Sequence, residues 1–135
     1  MLTHLSRNDF PPNPINKSGY QLDFNDSFDT DILDTSKWFS YYVPHWSSRS
    51  RTQPNYSLEN GLLKLHIIED QPAWCPEFDG EIRASVLQTG HFSGAVGSNI
   101  GQLRFSDALI VREEQTNVRL YTPQFGYFET RVKGS

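Results

Sequence analysis

Cysteine is nearly absent from this chain. Cys75 is the single one among 135 residues, so no intramolecular disulfide can form and no structural zinc site can be built from thiolates. Long apolar runs are missing too. The longest covers residues 108–111, far short of the roughly 18 apolar residues a membrane-spanning helix needs. Nor is there a positive surplus: 12 Lys and Arg stand against 16 Asp and Glu, a net charge of −4, which leaves little to neutralise phosphates or an anionic lipid surface. Neither nucleic acid nor a membrane is an expected partner. His4, His45, His66 and His91 show no metal-ligand spacing, so no metal or cofactor is expected. The first ten residues lack the basic cluster, apolar stretch and small-residue cleavage site of a secretory signal. As written, the chain is expected in the cytoplasm, and the Asn-x-Ser sequons at Asn16, Asn25 and Asn55 then mean little.

Turn formers and rings are plentiful instead. Eight Pro, 9 Gly and 13% aromatic residues point away from a helical bundle or a coiled coil. Residues 1–18, with Pro11, Pro12 and Pro14 and no sustained period, read as a disordered tail, and 19–135 as one partial β domain. Residues 20–28 read as a half-buried strand, 33–38 as a capped turn ending on an indole, and 39–46 as an edge strand or loop because of Pro44. A polar connector follows over 47–54. The clearest local signal is Asn60-Gly61 between two apolar-containing runs, which predicts a hairpin with a type I′ turn and places Leu63, Leu65 and Ile67 toward a core. Residues 69–80 are irregular and 90–101 form a flexible loop, while 81–88, 108–112, 118–122 and 126–133 are predicted strands. Roughly seven strands with no long helical period imply an all-β antiparallel sandwich.

Three stretches in order carry a family resemblance: Phe24-Asn-Asp-Ser-Phe28 with Leu33-Asp-Thr-Ser-Lys-Trp38, then Asn60-Gly-Leu-Leu-Lys-Leu65, then Phe125-Gly-Tyr-Phe-Glu-Thr-Arg-Val-Lys133. Together they resemble the N-terminal half of glycoside hydrolase family 16. The resemblance implies a concanavalin A-like jelly roll, incomplete over this length, and a polysaccharide or oligosaccharide partner among β-glucans and β-galactans. It also implies that Glu81 and Arg83, in Trp74-Cys-Pro-Glu-Phe-Asp-Gly-Glu-Ile-Arg-Ala-Ser85, reach into a glycan cleft and hydrogen-bond sugar hydroxyls. The plainer alternative for that pair is an exposed cross-strand ion pair, which contributes little.

Retaining glycosidases use two carboxyl groups, one attacking the anomeric carbon while the other protonates the leaving oxygen and then activates water. The family carries them on a strand reading Glu-x-Asp-x-Glu or Glu-x-Asp-x-x-Glu, after the strand that 126–133 resembles. These 135 residues stop before it, so no catalytic residue is assigned and the 135-residue polypeptide by itself is expected to be inactive. Glu77-Phe78-Asp79-Gly80-Glu81 has the same formal pattern. Its place before 126–133 is the wrong order for the family, and Pro76 and Gly80 favour a loop there over a central strand.

Among Tyr41, Tyr42 and Trp46, core filling is expected of two, and Trp46, between Pro44 and a Ser-Ser-Arg-Ser-Arg segment, is expected to offer its face to a sugar ring. Cys75 reads as a buried thiol and not a nucleophile. Two further readings stand beside the hydrolase: a lectin-like module binding glycan through Trp46, Glu81 and Arg83, and a fragment requiring a C-terminal complement, whose open strand edges invite self-association.

Overall fold

The computed structural model describes residues 16–134. They fall into two compact units, one made by 16–27 with 123–134 and the other by Phe28–Thr122. The expected disordered tail, 1–18, lies outside the described residues up to position 15. In the first unit Lys17 pairs with Glu129 at 3.1 Å and sits over the Tyr127 ring, which meets Tyr20 edge-on. The predicted strands at 20–28 and 126–133 form no ladder among the described residues.

In the second unit, β1 (Asn55–Glu59) and β2 (Leu62–His66) pair antiparallel. Their turn follows from local chemistry: Asn60 and Gly61 take φ of 54° and 69°, and a type I′ turn needs positive φ at both positions. The register sets Tyr56, Leu58, Leu63 and Leu65 on one face and Ser57, Glu59, Lys64 and His66 on the other. On the polar face Lys64 donates to Glu59 at 2.7 Å, and Ser57 Oγ lies 2.9 Å from His66 Nε2. The apolar face is not core. Leu65 and Ile67 are 47% and 56% exposed and Leu63 is half-buried, correcting the expected orientation, because among the described residues the hairpin pairs only with itself and no second sheet lies over it.

A second antiparallel pair joins β3 (Gly90–His91) to β4 (Val118–Arg119). Thus 90–101, expected to be a flexible loop, holds a paired strand, a bridge from Ser93 to Gly101 and the buried His91. Residues 81–88 form only a bridge from Gln88 to Phe39. Two four-residue helices, α1 (Arg49–Thr52) and α2 (Pro76–Asp79), and a 3-10 turn over Pro44–Trp46 complete the regular structure. Among the described residues the chain is mostly non-helical and its sheets are small and antiparallel, as a β-rich fold requires; two two-stranded sheets are formed there, fewer strands than the roughly seven expected.

The core gathers Val43, Trp46, Trp74, Cys75, Leu109 and Val111, with Tyr42, Phe78 and Ala84 packed against it. Residues 108–112 form no ladder, yet Leu109 and Val111 are buried while Ile110 is 49% exposed. That is the two-residue period of an extended segment with one face inward. No helix among the described residues is long and apolar enough to cross a membrane.

Candidate functional site

The segment after the hairpin builds the site. Pro76 opens α2 in the first helical position, where its missing N–H costs nothing, and Gly80, at φ 62°, closes it. The resulting loop is pinned at both ends: Trp74 N–H donates to the Ile82 carbonyl at 2.9 Å and the Trp74 indole N–H donates to Asp79 Oδ2 at 2.7 Å. Glu77, Asp79 and Glu81 are therefore not three acids along one strand face. Glu77 accepts from Arg112 at 2.7 Å and Arg51 at 3.5 Å. Its carboxyl is held below the usual range by a backbone N–H bond first and by the Arg112 guanidinium second.

Around this loop lies an open cleft of about 450 Å³ lined by Tyr42, Trp74, Asp79, Leu103, Arg104 and Phe105. Trp74 meets Tyr42 edge-on with ring centroids 5.0 Å apart, and Phe105 at 5.7 Å and 58°. Arg104 donates to the Asp107 carbonyl at 2.9 Å. Two accessible rings, Tyr42 and Phe105, with one carboxylate and one guanidinium can bind a polyhydroxylated ring chemically, since apolar C–H faces lie on aromatics while the charged groups take hydroxyls; Trp74, 2% exposed, backs them from the core. Leu103, at φ 51°, holds a backbone conformation rare for a side chain of its size and turns Leu103 and Phe105 outward, 59% and 49% exposed. A smaller polar hollow of about 240 Å³ is lined by Ser47, Ser48, Arg51, Glu77 and Arg112.

The three residues expected to touch glycan fare differently. Trp46 has no exposed surface, and its indole N–H donates to the Gln102 carbonyl at 2.8 Å. It is a core residue, because Val43, at φ 37°, turns the chain so that Pro44–Trp46 fold inward. Tyr42, half-buried like Tyr41, is the ring of that cluster that lines the cleft. Glu81 and Arg83 are both exposed, and neither lines the cleft. Among the described residues no ion pair joins them, and Arg83 donates to the Ile68 carbonyl at 3.4 Å.

The chain resembles a solved structure, the GlcNAcα1-4Gal releasing endo-β-galactosidase from Clostridium perfringens. The match has 40% sequence identity and a TM-score of 0.71 over 87% of this chain. It spans 28% of the length of that protein. The sequence matches no protein-family model and no curated protein.

Sequence reasoning passed over Trp74, Asp79, Arg104 and Phe105 as a group. Trp74 and Asp79 lie five residues apart in the segment already singled out, so a helical turn between them was the available signal. The approach of 103–105 comes from tertiary folding and has no local signature. Cys75 is buried as expected, with burial first and Glu77 second raising its thiol above the ordinary range. Among the described residues no cluster of three or more His, Cys, Asp or Glu could hold a metal ion.

Proposed function

We propose that these residues form part of a glycoside hydrolase domain of the family 16 type, with a concanavalin A-like jelly roll as its complete fold and galactose-containing β-linked glycans as its substrate class. The supporting observation is the 40% identity to an endo-β-galactosidase over 87% of the chain, alongside the ordered motifs at 24–38, 60–65 and 125–133. In this reading the Tyr42 and Phe105 rings stack on sugar, backed by the buried Trp74, while Asp79 and Arg104 fix its hydroxyls. The two carboxylates of a retaining mechanism belong to a Glu-x-Asp-x-(x)-Glu strand outside these 135 residues, so the polypeptide alone binds but does not cleave.

A second reading, a lectin-like module, is favoured by the cleft itself, which offers rings and a single carboxylate in place of a catalytic pair. One titration addresses both. Galacto-oligosaccharides are expected to change the tryptophan fluorescence of the chain, with the change reduced several-fold by Phe105→Ala, and no reducing sugar is expected to appear. A flat titration would count against a glycan site. Hydrolysis abolished by Glu77→Gln or Glu81→Gln would overturn the assignment of catalysis to a strand beyond this segment.

A further inference from the structure

The most anomalous groups in the molecule lie behind the cleft. His45 and His91 are 0% and 3% exposed, their rings 4.8 Å apart, and all four ring nitrogens are buried with no hydrogen-bond partner. Buried polar atoms without partners are uncommon and call for a reason. Both rings pack against aromatic neighbours. His45 lies against Trp46 at 4.2 Å and His91 is stacked on Phe39 at 5.1 Å and 18°. The bare backbone of Gly101 sits directly on His45, where a Cβ would collide with the imidazole and with the Trp46 indole.

This contact fixes the far wall of the cleft. Gly101 and Gln102 are held by the His45 ring and by the Trp46 indole N–H, and Gln102 N–H donates to the Phe92 carbonyl at 3.2 Å. Leu103, Arg104 and Phe105 follow immediately and line the cleft. The strained φ of Leu103 can persist only while its anchor over-determines it.

We propose that the His45–His91 pair is an acid-operated latch, closed while both imidazoles are neutral and released by protonation, which frees 101–105 and opens the cleft wall. The acceptor within reach of a His45 imidazolium is the Gln102 carbonyl, already taken by the Trp46 indole N–H, and its favourable pull is outweighed by burial; among the described residues His91 has no acceptor. Arg49, on α1, lies over Phe39 and Tyr41, its Nε bonded to Gln115, and adds positive charge on the His91 side. Arg119 lies opposite Gly90 on β4, and the His45 carbonyl is occupied by the backbone N–H groups of Arg112 and Glu113. The Glu113 carboxylate accepts from Arg49 N–H and the Gln115 amide, and the Cys75 thiol donates to the Trp46 carbonyl. No carboxylate among these bonds to either ring.

Burial lowers both imidazoles from 6.5 to about 4; at His45 the neighbouring His91 adds to the effect and the pull of the Gln102 carbonyl partly opposes it, and at His91 Arg49 adds to it. Between those values the unfolded segment binds protons that the closed one does not, so closure is favoured above pH 6.5 and lost as pH falls toward 4. The latch does not depend on what the cleft binds.

The test is an NMR titration of the 135-residue chain, following the imidazole C–H signals and the amide exchange of Gly94 and Gln102, whose N–H groups bond to Ile100 and Phe92. Both amides are expected to lose protection between pH 6.5 and 4, more steeply than one proton allows, while global secondary structure persists. In His91→Phe, which keeps a ring on Phe39, the loss should become no steeper than one proton. If both imidazoles titrate near 6.5 while Gly94 and Gln102 stay protected, the latch is overturned. The imidazole signals of the unsubstituted chain decide the matter even if the variant does not fold.

Discussion

The indole N–H of Trp74 donates to Asp79 Oδ2 at 2.7 Å, so a buried ring and a cleft carboxylate are fixed by one bond. The bond ties the core behind the cleft to the group that would contact hydroxyls. Asp79→Ala leaves a donor on a 2% exposed side chain without its partner and is expected to destabilise the chain by about 1–3 kcal/mol. Asp79→Asn retains an acceptor oxygen and should cost clearly less. Urea unfolding of the two variants checks the order, and equal losses would show that the bond contributes little.

How far this arrangement was legible in the sequence depends on the range of the forces that make it. The Asn60-Gly61 turn and the hairpin around it were readable because both positions need positive φ and few residue types accept it. Residues 108–112 were readable as an extended segment, but not which face turns inward, because Ala108-Leu109-Ile110-Val111 is apolar throughout. Trp46 was misread because its inward turn depends on Val43, a β-branched residue at φ 37° that local preference argues against. The Leu65 and Ile67 face was misassigned for a different reason: amphipathic period identifies an apolar face but not what covers it. The wall at 103–105 reaches the cleft through Gly101 on His45 and Gln102 on Trp46, contacts 56 residues apart in the latter case, which no local pattern encodes.

Neighbouring residues in 108–112 should respond oppositely to the same truncation. Leu109 has no exposed surface and packs in the core, whereas Ile110 is 49% exposed. Leu109→Ala is expected to cost about 2–5 kcal/mol, from lost burial and the cavity left behind. Ile110→Ala, at a surface position, should stay within about 0.5 kcal/mol. Denaturant midpoints for the pair measure the difference, and similar values would contradict the one-sided burial.

The hairpin turn offers a test that leaves packing untouched. Gly61 sits at φ 69°, and an L side chain there takes on the steric cost of the left-handed region, about 1–2 kcal/mol. Gly61→Ala is expected to destabilise by that order and to weaken amide protection across the Glu59–Leu62 and Ser57–Lys64 pairs, the hydrogen-bonded ones in this register. Gly134→Ala, where no atom lies within 4 Å of the added carbon, serves as the neutral control. A Gly61→Ala chain as stable as the control would mean that the turn has another geometry.

Cys75 reports on the core from the inside. It has no exposed surface, its thiol donates to the Trp46 carbonyl at 3.4 Å, and burial pushes its pKa up from the ordinary thiol range. The thiolate is the reactive form, so both access and ionisation protect it in the folded chain. Alkylation by iodoacetamide at pH 8 is expected to be at least 100-fold slower than in urea-unfolded chain, a ratio that corresponds to roughly 2.7 kcal/mol of opening free energy. Because the Cys75 thiol bonds to the Trp46 carbonyl, whereas Gly101 beside Gln102 sits on the His45 ring, lowering the pH through the histidine range should expose Gln102 to exchange before it exposes the thiol. Simultaneous exposure of both would identify the acid transition as unfolding of the whole core and not release of the cleft wall.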